Sequence, residues 1–236
     1  MKNNSSYGHI LLIPTVISED TLIQIPKGTI TSIHETTHFV VERSRTARRF
    51  IKTTNPPYEI SSLNIIEIDQ DGLDYINTAM SWLQQGHNVG VISESGMPGI
   101  ADPGSDLVIK AHSKGIKVKP LVGPSSIFLS LAASGLNGQN FCFNGYLPIK
   151  ENELKSKLKQ LESLIQKTRQ TQIFIETPYR NDRMLKFLVK NLNPNIKLCV
   201  AKDITGDEES ITTRRVSDWK NLDFQIGKIP TIFLIG

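Results

Sequence analysis

The chain has 236 residues, 39% of them hydrophobic and 21% charged, which suits a folded globular protein of one large or two small domains and excludes a disordered one. No segment reaches the roughly 20 apolar residues of a membrane span, and the opening MKNNSSYGHI has no signal-peptide core, so a cytoplasmic location with no membrane partner is expected. A net charge of +4 and a pI near 9.0 permit a polyanionic partner without requiring one.

Runs rich in β-branched residues recur at HILLI (9–13), FVV (39–41), IIEI (65–68), VGVI (89–92), IKV (116–118), FCF (141–143), IFIE (173–176), KLCVA (197–201) and TIFLI (231–235). Helical patterns separate many of them, predicting alternating β and α elements around a largely parallel sheet. Ile76, Ala79, Met80 and Leu83 follow the helical i, i+3, i+4, i+7 spacing and stop at Gly86; Leu107, Val108 and Ala111 repeat it and stop at Gly115. Cys142 and Cys199 lie inside strand-like runs, with neither CxxC nor paired histidines nearby, so buried thiols and no metal are expected. Texture changes between residues 120 and 140. Two α/β domains follow, 1–122 and 123–236, with a ligand cleft between them.

In parallel α/β sheets ligands bind beyond the carboxyl ends of the strands. The loop SGMPGIADPG (95–104) follows the strand VGVI and carries three glycines, which let main chain approach a ligand, and two prolines, which stiffen it. The next strand ends in GPSS (123–126), immediately before the helical run IFLSLAAS. GxGxxG, GxxxxGK[ST] and GxSxG are all missing, so neither the standard dinucleotide fold, nor the P-loop, nor the hydrolase elbow is supported.

Several segments resemble, in order, the tetrapyrrole methylase superfamily: SESGMPGIADPGSDLV (93–108), KVKPLVGPSS (117–126) and LAASGLNGQNFCFNGYLP (131–148). VVERSRTARRF (40–50) and ETPYR (176–180) resemble elements of its S-adenosylmethionine-dependent branch that 2'-O-methylates a ribose of small-subunit rRNA. The resemblance implies a two-domain α/β methyltransferase, usually a homodimer, that binds S-adenosyl-L-methionine in the interdomain cleft without a GxGxxG loop. It is to a shortened form, without the C-terminal extension many of these enzymes carry. Carried over by position, Pro14, Ser95, Gly96, Met97, Pro98, Ile100, Ala101, Ser125 and Ser126 would line the cofactor pocket from the first domain. Tyr179, Ala201, Pro230 and Thr231 would line it from the second.

Methyl transfer to a hydroxyl needs positioning and a proton acceptor. Glu42 is the expected base or acceptor-orienting group, with Arg45 beside it; the alternative is that Glu42 pairs with Arg45 or Arg48. Asp102 reads as the cap of a helix beginning at Pro103, and Glu176 with Arg180 as an ion pair holding a turn. Arg45, Arg48, Arg49 and Lys52 stack on one helical face, as either a solvated stripe or an RNA-phosphate contact with rRNA or the small subunit. His38 is singled out among the histidines for its nearness to Glu42 in sequence, and DEE (207–209) reads as an exposed loop. Where the ribosomal branch typically has a Pro-Ile-Gly-Asn-Leu loop this chain has PTVISED (14–20), and that branch's Glu-Asp-Thr-Arg element appears here as ERSR (42–45). The cofactor features are therefore retained while the acceptor features diverge. Methylation of a small molecule such as a tetrapyrrole, and cofactor binding without catalysis, stand as the alternatives to RNA methylation.

Overall fold

The computed structural model describes residues 7–19, 21–68, 74–222 and 224–236; the start of the N-terminal run and Asp20 of PTVISED lie outside them. Two compact units divide between Ser125 and Ser126.

The first unit is built on a fully parallel sheet of β1 (Ile10–Ile13), β2 (His38–Val41), β3 (Asn64–Glu67), β4 (Val89–Ile92) and β5 (Val118–Pro120) in the order β3-β2-β4-β1-β5. Apart from His38 at the start of β2, its central strands are apolar throughout, because each face meets a different set of helices. Ile10, Val40, Val89 and Val91 pack with Ile76, Ala79 and Leu83 of α3 (Asp74–Gln84) and with Leu107 and Ala111 of α4 (Ser105–Ser113). The alternate residues Leu11, Ile13, Phe39, Val41 and Ile92 pack with Ile33 of α1 (Lys27–His34) and with Ala47, Phe50 and Ile51 of α2 (Ser44–Thr53). The period-2 alternation of side chains thus divides one strand's residues between two cores.

The second unit holds α5 (Ser126–Ser134), α6 (Glu151–Thr168), α7 (Asn181–Asn191), the short α8 (Val216–Trp219) and strands β6 (Phe141–Tyr146), β7 (Thr171–Ile175), β8 (Lys197–Lys202), β9 (Ser210–Arg215) and β10 (Thr231–Ile235). Their order is β6-β7-β10-β8-β9. Only β6 and β7 pair in parallel, so the expectation of a largely parallel sheet fails in this half. The reason lies in the connection from β8 to β9: residues 203–209 are too few for a crossover helix, and a hairpin is what remains. Asp203 accepts from Glu208 N at 2.8 Å and Glu209 from Thr205 N at 2.7 Å, so DEE forms part of a tightly bonded hairpin turn, with Asp207, Glu208 and Glu209 exposed. The core joins Leu154, Leu158 and Leu161 of α6 and Met184, Leu185 and Leu188 of α7 to Phe174, Leu198, Val200 and Phe233 of the sheet. Cys199 is buried as expected, whereas Cys142 is only half-buried.

His38 opens β2, and Glu42 follows its far end, so sequence nearness puts the two at opposite edges of the sheet. The imidazole stacks on His87 at 4.2 Å, meets Trp82 edge-on at 4.9 Å, and bonds Thr37 Oγ1 at 3.0 Å through Nδ1. Burial, then the facing His87, holds its pKa below the usual 6.5. The unfolded chain therefore takes up this proton first, and stability falls as pH drops below about 6.5. A urea midpoint that declines between pH 7.5 and 5.5, and declines less in His38→Leu, is the expected result; equal slopes in the two proteins would refute the assignment.

Candidate active site

Because the first sheet is parallel, the carboxyl ends of β1, β2, β4 and β5 share one edge, and the loops carrying Pro14, Glu42, Ser95–Ala101 and Gly123–Ser125 leave from it. These loops are tied to one another. Thr15 N donates to Gly96 O at 2.9 Å, joining the β1 and β4 loops. Pro14 lies so close to Gly123 that a Cβ there would sit 2.2 Å from the Pro14 ring, so the β5 loop requires glycine at its start.

SGMPGIADPG is a chain of left-handed turns: Gly96, Gly99 and Gly104 have φ of 70°, 79° and 115°, and Ala101 joins them at 64°. An alanine held there costs roughly 1–2 kcal/mol, the kind of local strain that collects at functional sites. The loop leaves Ser95, Ile100 and Ala101 exposed, Met97 half-buried and Gly96 and Pro98 buried.

Asp102 does not cap a helix. Helix α4 begins at Ser105 with Gly104 as its N-cap, and no side chain bonds its first turn. The left-handed turn at Gly104 turns the chain between Asp102 and the helix, and the Asp102 carboxyl instead lies beside Ser93, within the field of the Glu42 and Glu94 charges. Burial first, then the Glu42 charge, pushes its pKa up to about 6. The Asp-Pro-Gly order carried this signal, since glycine stands where the helix needs its cap.

Glu42 is half-buried and makes no ion pair with Arg45 or Arg48 among the described residues; its carboxylate accepts from Glu94 N at 3.1 Å. Glu94 in turn accepts from Thr46 Oγ1 at 3.1 Å and pairs with Arg43 at 3.4 Å. The arginine in ERSR thus has a partner of its own. Helix α2 starts without a cap from Arg43, and Glu67 of β3 takes that role by accepting from Ser44 N at 2.6 Å, which holds the Glu67 carboxyl below its usual range. Along α2 the cationic stripe divides. Arg48 donates to Ile60 O at 2.8 Å and Arg49 pairs with Glu19 at 3.2 Å, while Arg45 and Lys52 are exposed and bonded to no described residue.

In the second unit β10 runs antiparallel to β7 and β8, so its start lies beside their ends. Thr231 pairs with Lys202 and Ile232 with Ala201, while Asp203 N donates to Pro230 O at 2.9 Å. Ala201, Pro230 and Thr231 therefore meet at one edge, although Ala201 is fully buried and Pro230 exposed. Tyr179 stands on the turn after β7, 80% exposed, with Lys228 Nζ 5.1 Å from its ring centre. That turn is held by Glu176, a buried carboxylate that accepts from Arg180 Nε at 2.9 Å and from Thr177 N at 2.6 Å. Ser125 and Ser126 are half-buried where the chain enters α5.

The family model described as tetrapyrrole (corrin/porphyrin) methylases matches residues 40–219. Ribosomal RNA small subunit methyltransferase I of Vibrio cholerae is 36% identical over 129 residues, 55% of this chain and 43% of that protein. Its counterpart from Escherichia coli O157:H7 is 27% identical over 208 residues, 88% of this chain and 69% of that one. The chain thus spans under half the length of the Vibrio relative. Among solved structures, the methyltransferase CobJ superposes with a TM-score of 0.63 over 97% of this chain and 94% of that one at 20% identity, a likeness of fold. With the family match running from β2 to α8, across both units, the chain belongs to the tetrapyrrole methylase family.

Proposed function

We propose that the chain is an S-adenosyl-L-methionine-dependent methyltransferase acting on RNA, with a ribose 2'-hydroxyl of small-subunit rRNA as acceptor. One observation carries the reading: the strand-end loops that hold the family's signature also gather Asp102, Glu42 and Ser93 at one edge, next to a helix whose Arg45 and Lys52 are bonded to no described residue. The residues suit the donor. SGMPGIADPG presents an open main chain at Gly99, where a Cβ would meet nothing within 4 Å, and apolar side chains at Met97 and Ile100. The resemblance assigns the donor to Pro14, Ser95–Ala101 and Ser125 in the first unit and to Ser126, Tyr179, Ala201, Pro230 and Thr231 in the second.

When bound, the cofactor supplies an electrophilic methyl group on a sulfonium. The protein's part is to fix the acceptor, exclude water and take the hydroxyl proton. Asp102 is the proposed proton acceptor, because a carboxylate titrating near 6 binds a proton far more readily than an ordinary one yet is mostly ionised at neutral pH. Glu42 is held in place by Glu94 N, and its charge opposes ionisation of Asp102. Arg45 and Lys52, with Arg48 and Arg49 behind them, would take RNA phosphates. A homodimer in the cytoplasm belongs to the same proposal; Phe128, 59% exposed on α5, is apolar surface of the kind a second copy covers.

The test joins calorimetric titration with S-adenosylmethionine to transfer of labelled methyl into small subunits from a strain lacking the protein. Binding and ribose-specific label are expected, and replacing Arg45 and Lys52 by Ala should flatten the salt dependence of RNA binding by about 0.7 in log–log slope per lost contact. Label in a corrin or porphyrin precursor, with none in RNA, would reverse the assignment.

A further inference from the structure

The first unit contains a cavity of about 200 Å³ lined by none of the residues assigned to the cofactor. It opens between the segment after β1 and helix α2. Its apolar lining comes from Val16 and Leu22 of the segment and Ala47 and Phe50 of the helix. Its polar lining comes from Thr46, Thr53, Ser93 and Glu94. Thr15 also lines it, 3% exposed, and its Oγ1 has no hydrogen-bond partner, an uncommon condition for a buried hydroxyl. Arg49 and Glu19 reach toward each other from the two sides and pair at 3.2 Å.

A lining that sets apolar side chains beside a few hydrogen-bonding groups matches a flat heterocycle that carries donors and acceptors on its rim. Glu94 and the threonine hydroxyls supply partners for amino groups and ring nitrogens. The surroundings narrow the class to a nucleotide: α2, which forms one wall, carries Arg45 and Lys52 exposed and without partners among the described residues. The cavity also adjoins the carboxylates, since Ser93 stands beside Asp102 and the backbone of Glu94 holds Glu42.

We propose that this cavity is a nucleobase pocket that takes the base of the acceptor nucleotide, turned out of its strand, and so brings the attached ribose to Asp102 and Glu42. The proposal deepens the RNA-methylation reading and rests on it. Recognition of unstacked bases in pockets of this composition is the common mode for proteins that do chemistry on single nucleotides.

The experiment is saturation-transfer NMR on the whole protein, saturated with S-adenosylhomocysteine so that free nucleosides are kept from the cofactor's own site. The probe is a mixture of adenosine, guanosine, cytidine and uridine. Base protons of at least one nucleoside should receive saturation. Thr53→Trp, which fills the cavity from the exposed end of α2, should cut that transfer about tenfold, the effect of losing one well-fitted pocket. Binding of S-adenosylhomocysteine by calorimetry should not change, and Val16→Phe, filling from the opposite wall, serves if Thr53→Trp loses it. Absence of transfer to every nucleoside, or transfer undiminished in the filled variant, would overturn the pocket. If nucleosides bind there but the wild-type protein places no methyl on rRNA, the pocket stands and the acceptor assignment falls.

Discussion

Asp102→Asn is expected to lower kcat for methyl transfer by about 10²–10⁴-fold, the usual range for a lost general base, while making the folded protein more stable at pH 7.5. The two effects have one cause. The folded chain holds the Asp102 proton up to about 6, against 3.8 for the ordinary group, because burial and the Glu42 charge oppose ionisation. Between those values the folded state binds more protons than the unfolded one, so stability declines as pH rises through that window. Above it the ionised group carries the full cost, which solvent on its open side reduces to roughly 1–2 kcal/mol. Asn removes that cost, so the gain in stability should be present at pH 7.5 and gone near pH 4. The pH profile of wild-type kcat should bend near 6, and the residual activity of the variant should not. Wild-type kcat in Asp102→Asn would eliminate Asp102 as the proton acceptor and return that role to Glu42.

The parallel half of the fold was legible because its inner strands are buried on both faces and read as apolar runs, such as VGVI and ILLI. Strand β9 was not. SITTRR is an edge strand with half-buried and exposed positions, and its two arginines suit a sheet edge that must stay soluble, so it offers no apolar period to detect. The antiparallel arrangement of the second sheet was hidden for the same reason, since the hairpin that forces it ends in β9. At the candidate site, glycine and proline revealed where the loops turn, but a sequence does not say which way a carboxylate points. Asp102 next to Pro103 resembled a cap, and only the turn at Gly104 directs it toward Ser93 and Glu42. Glu67 and Thr15 drew no attention for a related reason. One caps a helix that begins 23 residues earlier, and the other matters only because a cavity lies beside it.

Replacing Arg180 by Ala should destabilise the second unit by about 3–5 kcal/mol, the usual result of leaving a buried carboxylate without its partner. The Glu176 side chain is only 5% exposed, and a single oxygen, Oε1, accepts from Arg180 Nε and Nη2 and from Thr177 N. Without the guanidinium one backbone donor remains to balance that charge, and the chain must unfold the turn or protonate the acid. A fall in Tm of roughly 10 °C by calorimetry corresponds to this range for a chain of this size. Glu176→Gln with Arg180→Met should recover much of the loss, because the burial penalty arises from the charge and not from the shape of the pair. The same turn carries Tyr179, and Asn181 beside it donates to Ile229 O at 2.7 Å, just before Pro230 and Thr231. Arg180→Ala should therefore weaken S-adenosylmethionine binding even at temperatures where the protein stays folded, whereas the double variant, with the turn restored, should bind it nearly as the wild type does. If the double variant regains Tm but not affinity, the guanidinium itself takes part in holding the cofactor, and the ion pair serves both the turn and the ligand.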